Sequence, residues 1–194
     1  MDSKLHKNTL WLDLLNSDWH DFKGGGRHED RLDSEAWLKN FVFPWRGSLA
    51  QVPLPVVRDK LKELRVLLRR MAEDFSRRKP LGGKDLERLN HVLENSPQIN
   101  KVGLSGRTYT LRYQPRTPGI QSMLADMATS FAEVLVHGEP GRIKICQNPD
   151  CLWVFYDNSK NRTRKWCENA TGCGNLMKVR MFRARVKRSG LPAK

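Results

Sequence analysis

The sequence predicts a mainly α protein of the α+β kind. An N-terminal helical domain with a β-hairpin is followed by a small C-terminal zinc-binding module that ends in a basic helix. Three observations predict it. Apolar residues recur at helical spacing through much of the first 140 positions. Polar and apolar residues alternate on either side of Ser105-Gly106, the pattern of a hairpin. All four cysteines lie between Cys146 and Cys173, in two close pairs.

In chain order, Trp11, Leu14 and Leu15, flanked by Leu10 and Leu12, predict a helix from about Thr9 to Ser17. Gly24-Gly25-Gly26, set among mixed charges, reads as a flexible loop; without a preceding strand and a following Lys-Ser/Thr it is a poor phosphate cradle. Ser34 caps a short helix through Glu35, Trp37, Leu38 and Phe41, ended by Pro44 and Gly47. Val57, Leu61, Leu64, Leu68, Met71 and Phe75 predict a long helix from about Pro55 to Arg77. Its Arg58, Lys62, Arg65, Arg69 and Arg70 fall mostly on other faces. Diluted by Glu63, Glu73 and Asp74, they read as a solvated surface. Lys84 to Asn95 forms a further helix with Leu86, Leu89, Val92 and Leu93 inward. In the hairpin that follows, Tyr109, Leu111 and Tyr113 share one face. Gly119 to His137 is a long helix with Ile120, Met123, Leu124, Met127, Phe131, Val134 and Leu135 buried. The two methionines read as core filling. Gly138-Glu139-Pro140-Gly141 is the joint between a domain at 1–140 and a module at 141–194.

The cysteines are spaced Cys146-x4-Cys151 and Cys167-x5-Cys173, with fifteen residues between the pairs. Each pair reverses the chain enough to put two thiolates on one ion, and Asn148-Pro149-Asp150 supplies turn formers inside the first. No histidine follows His137, so four sulfurs are the natural ligands of one structural Zn2+ with no open position. The competing readings are a four-thiolate iron–sulfur cluster, two disulfides or unrelated buried thiols. No signal peptide is read ahead of the cysteines and no apolar run approaches about 18 residues, so a cytoplasmic protein without a membrane span is expected.

The formal charge of +14 is unevenly spread. Residues 141–194 hold 13 Lys/Arg against 3 Asp/Glu, whereas residues 1–140 hold 22 against 18. A basic excess beside a metal site points to a polyanion partner for the C-terminal part.

The segment Phe155-Tyr156-Asp157-Asn158-Ser159-Lys160-Asn161-Arg162-Thr163-Arg164-Lys165-Trp166-Cys167, followed by Cys173-Gly174-Asn175, resembles the CGNR zinc finger of bacterial transcription regulators. Two departures stand out: Leu176 occupies the position of the motif's arginine, and the second knuckle, Glu168 to Gly172, is one residue longer than the motif's. The leading helices, the central hairpin and Trp11-Leu12-Asp13-Leu14-Leu15-Asn16-Ser17 are similar to the ABATE domain of the same regulators. The resemblance implies DNA binding by the finger and ligand or stress sensing by the N-terminal part. Trp11, Asn16, Trp19 and Trp37 either line an effector pocket or belong to the core.

Ile143 and Ile145 before the first knuckle, with Trp153 and Phe155 after it, predict a small hairpin carrying Cys146 and Cys151. Asn161 to Trp166 reads as a helical turn capped by Asp157 or Ser159. Asn175 to Lys187 should form the last helix, packing Leu176, Val179, Phe182 and Val186 on the metal core. Candidate DNA-binding residues are Arg162, Arg164 and Lys165 in the loop, and Lys178, Arg180, Arg183, Arg185, Lys187 and Arg188 on the helix. The expectation is a regulator that binds double-stranded DNA, with a small-molecule effector and a homodimer as further expectations. RNA binding with stacking on Trp153, Tyr156 and Trp166, or a protein-interaction module, are the alternatives. No His-Glu-x-x-His and no Ser/His/Asp signature stands out, so an enzyme is not expected.

Overall fold

The longest apolar stripe of the sequence becomes the longest helix of the structure, a computed structural model that describes residues 9–167 and 172–189. The elements are α1 (Leu10–Leu15), β1 (Asp18–His20), β2 (His28–Asp30), α2 (Glu35–Phe41), α3 (Leu54–Ser76), α4 (Gly83–Glu94), β3 (Gln98–Ser105), β4 (Thr108–Pro115), α5 (Ile120–His137), β5 (Ile143–Ile145), β6 (Val154–Tyr156) and α6 (Cys173–Ser189). The strands pair as three separate antiparallel hairpins, β1 with β2, β3 with β4 and β5 with β6. Among the described residues no helix is long and apolar enough to cross a membrane.

Helix α3 starts behind Pro53 and carries Pro55 in its first turn, where a missing N–H forfeits no helical bond. Its Val57, Leu61, Leu64, Leu68 and Met71 are buried against α1 and α5. From α5 come Met123, Met127 and Phe131, all fully buried, so the methionines fill core. The Trp11 ring meets Phe131 edge-on at 5.3 Å, which places Trp11 in the core. Ser34 caps α2 as expected, its Oγ accepting from Trp37 N. The cations of α3 are mostly in ion pairs: Arg65 with Asp30, Arg70 with Asp85, Lys62 with Asp33 and Arg69 with Glu73. They are committed to the fold.

Ile143 of β5 and Val154 of β6 enter the same apolar cluster as the helices. Three polar ties hold that hairpin in place. Asn16 donates to Val154 O at 2.9 Å and accepts from Val154 N at 2.8 Å. Ser76 Oγ accepts from Ile145 N, and Arg69 donates to Leu152 O at 2.9 Å. Although the joint near residue 140 separates α5 from β5 in sequence, the packing runs through it.

Three places add to or correct the sequence-based expectation. The segment Asp21 to Arg31, which reads as a flexible loop, supplies the turn and second strand of the β1–β2 hairpin, with His20 opposite His28. Its strands, Asp18-Trp19-His20 and His28-Glu29-Asp30, hold Trp19 as their one apolar residue, so no alternation registers. Asp21 organises the turn: its N–H donates to Arg27 O, and its carboxylate accepts from Lys23 N. The β3–β4 hairpin forms in the expected place, with Gly106 at φ +61° in a two-residue turn. Its apolar face, however, stays in the open: Val102, Leu104, Tyr109, Leu111 and Tyr113 are 54–78 % exposed. Leu86 of α4, expected inward, is also exposed.

Asn16→Ala leaves a buried N–H and a buried carbonyl of Val154 without partners. It is expected to cost about 3 kcal/mol. That corresponds to a melting temperature lower by roughly 6–12 °C for a chain of this size, measurable by circular dichroism.

Candidate metal centre and nucleic-acid interface

The first cysteine pair is positioned by β5 and β6. Cys146 follows β5 directly, and its N–H donates to Trp153 O at 2.9 Å, closing the knuckle. Cys151 N donates to Asn148 O, and Leu152 at φ +54° turns the chain into β6. Cys167 ends the loop after β6, which is tied to the knuckle by Gln147 N donating to Lys165 O. Cys173 opens α6 behind Gly172, whose φ of +77° marks a turn that glycine makes without strain. The extra residue of the second knuckle belongs to 168–171, outside the described residues.

All four sulfurs are buried and lie within 4.8 Å of one another. Cys146 Sγ is 3.5 Å from Cys173 Sγ, and Cys151 Sγ is 3.6 Å from Cys167 Sγ. Tetrahedral zinc with bonds near 2.3 Å puts its sulfurs roughly 3.8 Å apart, so this set fits one ion. The same spacings are far too long for a disulfide. An iron–sulfur cluster would need room between the cysteines for its own iron and sulfide atoms.

Four thiols this close do not ionise together without a cation. Cys146, which accepts its neighbours' hydrogen bonds, is held below its ordinary value. Hydrogen bonding to Cys146 pushes Cys151 and Cys167 up, and burial pushes Cys173 up. Zinc would take all four as thiolates and release the remaining protons, making metal affinity depend on pH. Asn148, fully buried, donates to Cys173 Sγ at 3.2 Å and to Phe22 O at 2.8 Å. That side chain is more than a turn former. It orients a ligand and ties the knuckle to the β1–β2 loop. Phe22, Trp153, Phe155 and Trp166 pack around the sulfurs.

The loop from 157 to 166 is not a helical turn. Buried and half-buried side chains claim the backbone groups a helix would use. Lys144 Nζ donates to Asp157 Oδ2 at 2.6 Å and also to the carbonyls of Arg162 and Arg164. Arg142 donates to the carbonyls of Asp157 and Ser159, both at 2.8 Å. Asp157, fully buried, accepts from the N–H groups of Ser159 and Arg164. Burial works to raise its carboxyl, but Lys144, Ser159 and these backbone donors hold it well below the ordinary value.

The ABATE model, whose description reads "Putative stress-induced transcription regulator", matches residues 8–138, more than half of the chain. The CGNR zinc finger model matches residues 142–186. The chain belongs to the ABATE family and carries a CGNR zinc finger. No curated protein matches the chain. The cofactor implied by the finger is one zinc ion held by Cys146, Cys151, Cys167 and Cys173.

Within the CGNR finger the candidate DNA-binding cations do not form a single free surface. Arg180 is committed: it pairs with Asp150 at 2.6 Å and donates to Lys23 O at 2.7 Å. Arg162 pairs with Glu139 at 2.6 Å, and the Arg164 guanidinium lies 4.9 Å over the Phe155 ring. Lys165 and Lys178 are exposed and meet, with Lys160 and Arg164, along a groove of about 640 Å³ between the loop and the start of α6. Arg183, Arg185, Lys187 and Arg188 lie exposed on the later turns of α6. The apolar stripe of α6 does not pack as expected: Val179 and Phe182 are 45 % and 59 % exposed, and only Leu176 and Val186 are half-buried. Cys173 and Arg180 anchor the first turns.

The glycine triplet serves the finger rather than phosphate. A Cβ on Gly24, at φ +89°, would come within 2.8 Å of the Arg180 guanidinium and 3.0 Å of the Asp150 carboxylate. Lys144, Asn148 and Asp157 carry the finger's architecture. Asp157 gave a sequence signal as a cap and Asn148 as a turn former, but neither signal named the partner, and Lys144 gave none, because a polar residue looks like any other until its partners are known.

Asp157→Asn leaves the half-buried Lys144 without its counter-charge and is expected to destabilise the zinc-loaded protein by about 3 kcal/mol at neutral pH. Because the folded carboxyl titrates below its ordinary value, that contribution is complete above about pH 4 and fades as pH falls further. Melting wild type and variant side by side in saturating zinc should show a constant gap from pH 7 down to about pH 5, where the sulfurs still hold the metal and the carboxyl stays ionised. A gap that closes within that range contradicts the assignment.

Proposed function

We propose that this protein is a transcription regulator that binds double-stranded DNA through its CGNR finger, with the ABATE domain as the sensing and association part. The observation that carries the reading is the groove where Lys160, Arg164, Lys165 and Lys178 converge beside the four-cysteine centre. A closed thiolate set leaves zinc no position for chemistry, so the metal's part is to fix the loop against α6. Two basic elements held at a set angle suit a phosphate backbone. Of the aromatics a single-strand binder would stack on, Trp166 borders this groove, while Trp153 and Tyr156 line a different cleft, which favours duplex over single-stranded RNA. That second cleft, about 850 Å³ between α1, α5 and the finger, also touches Trp11 and Asn16 and is where an effector would bear on both parts.

The apolar face of β3–β4 supports a homodimer. Its five large side chains at these exposures present on the order of 600 Å² per chain. Two copies packed face to face withdraw about 1,200 Å², the lower end of stable interfaces. The opposite face carries Lys101 directly across from Arg112, a like-charged pair that keeps that side in water.

Binding to a duplex should fall linearly with salt on a log–log plot and vanish on zinc chelation. Lys165→Ala with Lys178→Ala should lower the slope by about 2, one unit for each lost phosphate contact. An unchanged slope in fluorescence anisotropy would remove the groove from the interface. In light scattering the protein should have twice the chain mass and Leu111→Lys that of a monomer; a monomeric wild type at micromolar concentration defeats the dimer.

A further inference from the structure

Strand β1 places Asp18 and His20 two residues apart, hence on one face, and the register sets His28 directly opposite His20. The two imidazoles lie side by side, 4.5 Å between centroids at 29°. Both Nε2 atoms turn toward the Asp18 carboxylate: His28 Nε2 is 2.5 Å from Oδ1 and His20 Nε2 is 3.6 Å from Oδ2. One donor atom from each of the three residues falls within 4.8 Å of the others. We propose that Asp18, His20 and His28 form a second metal site, for a borderline divalent ion such as Zn2+, Ni2+ or Co2+, separate from the four cysteines.

Two imidazoles and a carboxylate are the donors these ions prefer over calcium or magnesium. Without the ion, the hydrogen bond between His28 and Asp18 holds a proton among the same atoms. A divalent ion replaces it and releases it to solvent. Asp30, across from Asp18, adds nothing to the ligand set, because Arg65 and Lys62 already grip its carboxylate. The nearby positive charge of Arg65 is thereby largely offset. Three protein ligands leave at least one position to water, and the site is half open to solvent. Such a site exchanges its ion, unlike the closed thiolate centre.

Its position gives it a consequence. The β1–β2 loop hangs from these residues and lies on the finger, where Phe22 packs beside the cysteines and Lys23 O receives Arg180. An ion that draws β1 and β2 together would bear on the contact that holds Arg180 and the start of α6. This link to DNA affinity rests on the proposed role of the finger; the metal site does not.

The test is to load the full chain with one zinc, then titrate Co2+ by calorimetry and absorbance, with bound metal counted after desalting. Wild type should take a second ion with weak d–d bands and no new thiolate charge-transfer band. His20→Ala/His28→Ala should weaken it at least about 10-fold while keeping the first zinc and the melting temperature. The milder His28→Gln, which keeps a polar group on the hairpin, should weaken it in the same direction. Failure of wild type to bind a second ion up to about 100 μM, far above the range of built transition-metal sites, overturns the proposal. So does a second ion that survives in the double variant. A second ion that leaves DNA affinity unchanged overturns the link to the finger and keeps the site. Loss of DNA binding in every state would instead fall on the proposed function.

Discussion

Everything in this molecule depends on a six-residue constraint: the β5–β6 hairpin must serve two cores at once. Its register pairs Ile143 with Tyr156 and Ile145 with Val154 on one face, and Lys144 with Phe155 on the other. The first face joins the helical core and the second meets the zinc module. Because side chains alternate along a strand, a shift of one residue would exchange the two faces and empty both cores. Asn16, bonded twice to Val154, fixes that register from the helical side.

The electrostatics follow from the same hairpin. Lys144 points away from the helices into a loop that has no regular hydrogen bonding of its own, and there it meets Asp157 and two carbonyls. Half-burying that lysine is tolerable because its charge and its donors are all used. Zinc does for the thiols what Lys144 does for Asp157. Four crowded sulfurs stay mostly protonated alone and become ligands only beside a divalent cation. The loop and α6 are thus fixed by two charge-neutralising centres, one of them metallic. That fixed geometry is what gathers Lys160, Lys165 and Lys178 around one groove.

Much of this was legible in the sequence, for identifiable reasons. Helices α3 and α5 are long, and their apolar residues repeat over several turns, so their period could not be mistaken. The four cysteines have few uses at such spacing, and the ligand set followed from counting them. The signal failed where apolar residues are missing: β1 and β2 hold Trp19 alone, whereas the equally short β5 and β6 alternate. The alternation in β4 was read correctly as a strand, yet it cannot say whether a face is covered, and here Tyr109, Leu111 and Tyr113 are exposed. The stripe on α6 misled in the same way, since Val179 and Phe182 repeat at helical spacing without a partner to bury them.

The sequence by itself determined the order of the helices, the two main hairpins, the zinc ligands and the basic bias of the C-terminal part. Local periodicity and donor chemistry are properties of neighbours along the chain, and they survive without knowledge of the fold. Only the tertiary structure decided which charges are free. Arg180 and Lys178 look equivalent in the sequence of α6, but Asp150 and the Lys23 carbonyl claim the first and leave the second exposed. It also decided that Asn148 steadies a sulfur and that Asp18, His20 and His28 converge. Such meetings join residues up to 157 positions apart, as with Lys23 and Arg180, and they exist only once the hydrophobic core has brought those segments together.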